Sequence, residues 1–285
     1  MTAMICDVGT TSLGEYLRAR RAQLRPEDVG LPAGTRRRVE GLRREEVALL
    51  AGISPEYYLR LEQGRDQHPS DQVLAALAGA LRLDADGTAY LETIAHPVRS
   101  ASRKARAEKV SPHVQALIDG WPVTAAYVQG RRFIVLAANP LAVALSRHFA
   151  VGASPLRAAF LAPEMHTLYR DWDEMTARTV PFMRSVVAGH EGDPEVAALI
   201  GELSLRSERF RTLWARHDVK IRDDGPTKFD HPQVGPLDLR FQKFVLPESD
   251  QLLVTYHAEP GSPSVDPFRM LARAAPPGVI SAVRA

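Results

Sequence analysis

Residues 42–64 read LRREEVALLAGISPEYYLRLEQG, and this stretch decides how the N-terminal part of the chain folds. Val47, Leu50 and Ala51 recur at helical spacing, which predicts a first helix over residues 44–51. Gly52 follows at the position where a left-handed residue commonly ends a helix. Ser54 is placed to cap a second helix and Pro55 to open it, because a first-turn proline gives up no helical bond. Tyr58 and Leu61 point inward, and Gly64 closes the second helix. Helix, tight turn and helix form the DNA-binding helix-turn-helix, whose second helix enters the major groove.

The outward face of that second helix carries Pro55, Glu56, Leu59, Arg60 and Gln63, with Tyr57 at its margin. Ser54, Pro55, Glu56, Tyr57 and Arg60 are therefore the candidate DNA contacts of this helix. A glutamate accepts from a cytosine amino group, and an arginine pairs with guanine or a phosphate. The residue order E-E-V-A-x-x-A-G-I-S followed by Y-x-x-R-x-E-x-G resembles the XRE-type helix-turn-helix of bacterial and phage repressors, over residues 13–95. In that family position 43 is usually a capping Ser or Thr. Arg43 forgoes a cap of about 1 kcal/mol, which points to Arg43 and Arg44 as phosphate contacts; two solvated arginines are the plainer reading.

Upstream, the S-x-x-E of residues 12–15 is a capping box opening a helix with Leu13, Tyr16, Leu17 and Leu24 on its apolar side. The connection 25–41 is long and holds the triplet Arg36, Arg37 and Arg38, a candidate to follow phosphates or enter a minor groove. A solvated charge run competes with that reading. Helical periods over 70–83 and 84–95 complete an expected all-α head of five helices at 12–95. Residues 96–111 turn basic and weakly apolar, and are expected to be a linker.

With 285 residues and 45% apolar side chains, the chain has room for two domains with cores of their own. Lys and Arg total 36 against 34 Asp and Glu, but the basic excess is concentrated in the first 65 positions. The one cysteine, Cys6, excludes a disulfide framework and a cysteine-based zinc site. No signal-peptide pattern and no run of about 18 apolar residues is present, so the expectation is a cytoplasmic protein with no membrane partner.

The second half begins with a helical pattern at 112–119 and strand-like runs at 123–129 and 133–138, joined by a turn at Gly130, Arg131 and Arg132. Asn139-Pro140 opens a helix. A long helical period over 164–190 follows, which Pro181 is expected to kink or divide. Another period covers 194–205, and Phe210, Leu213, Trp214 and His217 form a further apolar face. Strands are expected at 227–231, 237–246 and 252–257, with a turn at 247–250 and a loose composition after Pro260. Strands at both ends with helices between them indicate an α+β domain built on one antiparallel sheet.

The head sequence VGLPAGTRRRVEGLRREEVALLAGIS is followed by NPLAVAL, LYRDWDEM, GELSLRSERFRTLWARHDV, TKFDHPQVGPLDLRFQKFVLP and HAEPGS. In combination these resemble the MmyB-like transcription regulators. The resemblance implies an XRE-type head at 12–95 and a PAS-like, ligand-binding domain at 112–271, with a tail at 272–285. It implies gating by a small, mostly apolar molecule.

From the residues themselves, Trp172, Met175, Phe182 and Met183 form a stripe wider than one helix face needs, and Met and aromatic side chains suit an adaptable pocket. With Phe241, Phe244 and Tyr256 of the sheet they are the candidate ligand-binding residues for a fatty-acid-like or polyketide-like molecule; a plain core is the competing reading. His217, Asp218, His231 and Asp171 have no nucleophile at a working spacing, and no GxSxG, HExxH, P-loop or GxGxxG occurs. No catalytic residue, metal site or cofactor is expected.

The sequence thus predicts a regulator that binds double-stranded DNA as a homodimer on two half-sites, its heads repositioned by a ligand; the coupling element is not read from the sequence, and the 96–111 segment is the place to look for it. Two other readings stay open: a C-terminal domain used only for dimerisation or partner binding, and an enzyme with an appended head.

Overall fold

The computed structural model describes residues 13–32, 39, 41–66, 68–96, 108–188, 193–221, 224–246 and 251–275. The Ser12 end of the capping box, the Arg36–Arg37–Arg38 triplet, most of the linker and the turn at 247–250 lie outside them. The chain divides into two compact units, the first from Met1–Arg103, Val180–Gly201 and Arg211–Ile221, the second from Lys104–Thr179, Glu202–Phe210 and Arg222–Ala285.

In the first unit, five helices form the head: α1 (Leu13–Gln23), α2 (Arg44–Ala51), α3 (Pro55–Glu62), α4 (Asp71–Ala80) and α5 (Ala85–Ala95). Their apolar stripes meet in one core that includes Leu17, Leu42, Val47, Tyr58, Leu61, Leu77 and Leu91. The helix starts are capped as their side chains dictate: Ser70 accepts from the Val73 amide and Asp84 from the Gly87 amide at 2.8 Å. Tyr16 of α1 packs edge-on against Tyr90 of α5, ring centroids 5.0 Å apart. Gly14 sets the spacing of α1 and α3, because a Cβ there would stand 2.4 Å from the Glu62 carbonyl oxygen.

The second unit holds α6 (Pro112–Asp119), β1 (Thr124–Gln129), β2 (Val135–Ala138), α7 (Pro140–Leu145), α8 (Pro155–Leu161) and α9 (Glu164–Leu168). It continues with α10 (Trp172–Val187), α11 (Pro194–Arg206), α12 (Glu208–Ala215), β3 (Gly225–His231), β4 (Gly235–Leu246), β5 (Gln251–His257) and α13 (Val265–Ala274). Of these, the unit boundary passes through α10, α11 and α12. The five strands form one sheet in the order β2-β1-β5-β4-β3, every neighbouring pair antiparallel. One face packs against Ile118 of α6 through Ala126, Val128, Ala137 and Leu253. The opposite face carries Tyr127, Thr227, Phe229, Leu239, Phe241 and Tyr256, the alternate residues of the same strands. An all-α head followed by an α+β domain on an antiparallel sheet is the predicted fold class.

Several local expectations are corrected. The period over 164–190 is two helices, separated where Tyr169 bridges Phe229 and the Arg170 amide donates to the Lys228 carbonyl at 2.8 Å. Pairing with β3 outweighs the helical period there. Pro181 does not divide α10; the helix continues past it, with Val180, Phe182 and Met183 buried on either side. Their burial outweighs the one backbone bond a proline removes. His217 lies beyond the end of α12, in a left-handed conformation at φ 54°. The composition after Pro260 suggests a loose tail, yet α13 forms and buries Phe268 and Leu271; a short amphipathic period overrides the Pro and Gly content. No element is read from sequence at 155–161, where α8 starts behind the Ser154 cap.

Candidate DNA-binding and ligand-binding sites

The turn between α2 and α3 is built as its residues require. Gly52 takes φ 66° and its amide reaches the Ala48 and Leu49 carbonyls, while the Ile53 amide donates to the Ala48 carbonyl at 3.0 Å. The Ser54 hydroxyl accepts from the Tyr57 amide at 3.1 Å. Tyr58, Leu61 and Glu62 are buried, whereas Ser54, Pro55, Glu56, Arg60 and Gln63 are exposed and Tyr57 and Leu59 are half-buried. The Arg60 guanidinium stands 5.4 Å from the Tyr57 ring centroid, which presents it at the helix surface. One continuous face of α3 therefore offers a carboxylate, a guanidinium and an aromatic edge.

Glu62 holds this face at its angle. Its buried carboxylate takes bonds from Arg21 Nε at 2.6 Å and Arg44 Nε at 2.7 Å, joining α1, α2 and α3. Arg21 also donates to the Leu42 carbonyl at 2.8 Å, and Arg18 to the Glu62 carbonyl at 3.3 Å. Burial pushes the Glu62 carboxyl up, but the bonds from Arg21 and Arg44 outweigh it and hold the group below its ordinary value. Arg44 remains 45% exposed, so it can face solvent while it pairs. The Arg43 amide donates to Glu46 Oε2 at 2.6 Å, a reversed cap that replaces the missing Ser or Thr. The role of Glu62 was missed from sequence; a charged residue on the Tyr58–Leu61 side of an amphipathic helix is the signal that marks it.

The seven candidate ligand residues divide between the units. Phe182 and Met183, both buried, belong to the first; Trp172, Met175, Phe241, Phe244 and Tyr256 belong to the second. Within the second unit, Tyr256 is the centre of an aromatic cluster. Phe149 stacks on it at 5.5 Å, Phe229 meets it edge-on at 5.5 Å, and Phe241 lies 6.3 Å away across the β4–β5 pair. Tyr169 packs on Phe229 at 4.5 Å, and its hydroxyl is 3.5 Å from that of Tyr256. Burial, then the Tyr256 neighbour, keeps the Tyr169 phenol neutral far above the ordinary range. Thr227, on this same sheet face, is 1% exposed, and its hydroxyl has no hydrogen-bond partner among the described residues.

Trp172 is fixed by its own contacts, its indole N–H donating to the Ala159 carbonyl at 2.8 Å and its ring stacking on His166 at 3.7 Å. Met175 is buried, its sulfur 3.5 Å from the Thr179 hydroxyl. Phe244 sits on the opposite sheet face from Phe241 and is 47% exposed, because the two differ by an odd number of strand positions. It does not share a surface with Tyr256. Tyr127, Phe149, Tyr169, Phe229 and Thr227 were not singled out from sequence, since strand pairing and not spacing brings them together.

The remaining polar candidates have structural roles. His231 Nε2 is 3.0 Å from the Ala144 carbonyl, and Asp171 accepts from the Lys228 amide at 3.2 Å and pairs with Arg178. Burial and then the Arg184 cation lower His217 to about 4, so it is a neutral imidazole at neutral pH. Among the described residues, no three His, Cys, Asp or Glu side chains group as a metal site, and no helix is long and apolar enough to cross a membrane.

Two family models match the sequence. One, described as a helix-turn-helix domain, covers residues 12–91; the other, described as the ligand-binding domain of an MmyB-like transcription regulator, covers residues 110–271. No curated protein matches the chain.

Proposed function

Because the chain belongs to the MmyB-like transcription regulators, we propose that it reads a specific operator through α3 and responds to a small apolar ligand held on the aromatic face of its sheet. The observation that carries the first part is the exposed Glu56–Arg60 face on a helix whose angle is set by a buried ion-paired carboxylate. Arg43, Arg44 and the Arg36–Arg37–Arg38 triplet supply phosphate contacts, and two heads in a homodimer read two half-sites. Its place of action is the cytoplasm, and it catalyses no reaction.

The test is selection of bound duplexes from a random pool with the full chain. A recovered consensus supports the reading; equal, weak binding to every duplex overturns it. On the selected site, Arg60→Ala and Glu56→Ala are each expected to cost about 1–3 kcal/mol and relax preference at one base pair. Arg43→Gln is expected to weaken all sequences alike and to lower the salt slope by about one unit. Titration by fluorescence anisotropy at several salt concentrations reads both.

The ligand is fatty-acid-like or polyketide-like in this reading: an apolar body against Tyr256, Phe229, Phe241 and Met175, with one polar atom for the Thr227 hydroxyl. Thr227→Val keeps the shape and removes an unpaired buried hydroxyl. It is expected to raise the thermal midpoint of the ligand-free chain, by about 1 kcal/mol of stability. The same variant should retain less of any ligand that copurifies, as read by native mass spectrometry. A lowered midpoint would show that the hydroxyl already has a partner.

A further inference from the structure

One helix carries residues of both compact units: in α10, residues 172–179 belong to the second and residues 180–187 to the first. Its Arg184 is a buried cation, 1% exposed, placed 3.8 Å from the ring centroid of Trp214. The guanidinium donates to the Trp214 carbonyl, lies 3.4 Å from His217 Nδ1 and meets the Tyr90 hydroxyl of α5. The chain after α12 is tied to α10 as well: the Ser185 hydroxyl donates to the Lys220 carbonyl at 2.9 Å, and the Lys220 amide to the Pro181 carbonyl at 3.2 Å.

These segments form a seat for α1 and α5. Gln23 of α1 donates to the Arg216 carbonyl, Arg20 pairs with Asp218 at 3.5 Å, and Asp86 of α5 accepts from the Ile221 amide at 3.1 Å. Ala188 and Val219 pack against the apolar core of the head. A guanidinium desolvated to this degree is expensive to strand, so intermediate positions of the seat are disfavoured. Packed contacts of this kind switch between discrete arrangements and do not deform smoothly.

We propose that the α10 seat, in place of the 96–111 segment, transmits the state of the ligand face to the head: a change at Met175 alters how firmly Arg184 and its neighbours hold α1 and α5. The proposal rests on the second unit being the sensor, and its test needs neither an operator nor an identified ligand. Hydrogen exchange is measured on the full chain carrying Met175→Ala, Arg184→Met, or both.

Met175→Ala alone is expected to speed exchange of the α1 and α5 amides about fivefold or more. In the Arg184→Met background the same substitution should add nothing there while still changing the α10 amides around residue 175. The proposal is overturned when Met175→Ala leaves the exchange of α1 and α5 as it was, or when it acts on them equally in both backgrounds. Should Arg184→Met lose its cooperative melt, Arg20→Ala with Asp86→Ala removes the ion pair to Asp218 and the acceptor of the Ile221 amide instead, and the same two outcomes decide. A failed operator selection would leave this exchange result standing.

Discussion

Glu62→Ala is expected to destabilise the first unit by about 3–5 kcal/mol, the range found when one partner of a buried ion pair is removed. Two guanidiniums converge on this carboxylate, from Arg21 at 2.6 Å and Arg44 at 2.7 Å, and the Arg21 side chain has little solvent to turn to. Glu62→Gln keeps the volume but leaves both cations without their counter-charge, so it should recover only a minor part of the loss. Denaturant melts of the full chain followed by circular dichroism measure the change. Operator affinity should fall in parallel with the folded fraction, since α3 hangs on this network.

The same carboxyl makes stability depend on acidity. Its folded value lies below the ordinary 4.5, so its contribution is whole above that value and is lost as the pH falls beneath it.

Asn139→Ala is expected to cost the second unit at least about 3 kcal/mol, because buried polar groups left without a partner cost about 1–3 kcal/mol each. The Asn139 carbonyl oxygen accepts from the Ala126 and Ala142 amides, both at 3.0 Å. Its amide group donates to the Ile118 carbonyl at 3.0 Å and the Thr124 carbonyl at 2.8 Å. One buried side chain thus joins the end of α6, the strand β1 and the start of α7. Asn139→Asp keeps the two acceptor bonds but turns a negative charge toward two carbonyls, and should be at least as harmful at neutral pH. Differential scanning calorimetry checks both. A loss below about 1 kcal/mol would mean that water replaces these bonds.

Asn139 was legible in the sequence as a helix cap before Pro140, but only one of its four bonds follows from that reading. The other three come from elements that fold back on it. The ligand face shows the same limit. Phe241 and Tyr256 were singled out and do face each other across β4 and β5, whereas Phe244 joined them on composition and falls on the opposite face. Pro181 is the reverse case: local chemistry argues for a break, and burial on both sides keeps α10 whole.

Local bonding and periodicity determined the helix-turn-helix by themselves, since a left-handed glycine, a serine cap and an apolar stripe act over a few residues and need no distant partner. The same holds for the positions of most strands and for the resemblance of the whole chain to its family. Tertiary structure alone decided that Arg21 and Arg44 are the partners of Glu62, that Thr227 shares a face with the Tyr256 cluster, and that Arg184 belongs with the head. Those facts depend on contacts between residues far apart in the chain, and the energies that select them arise from desolvation and packing, which no local pattern of residues encodes.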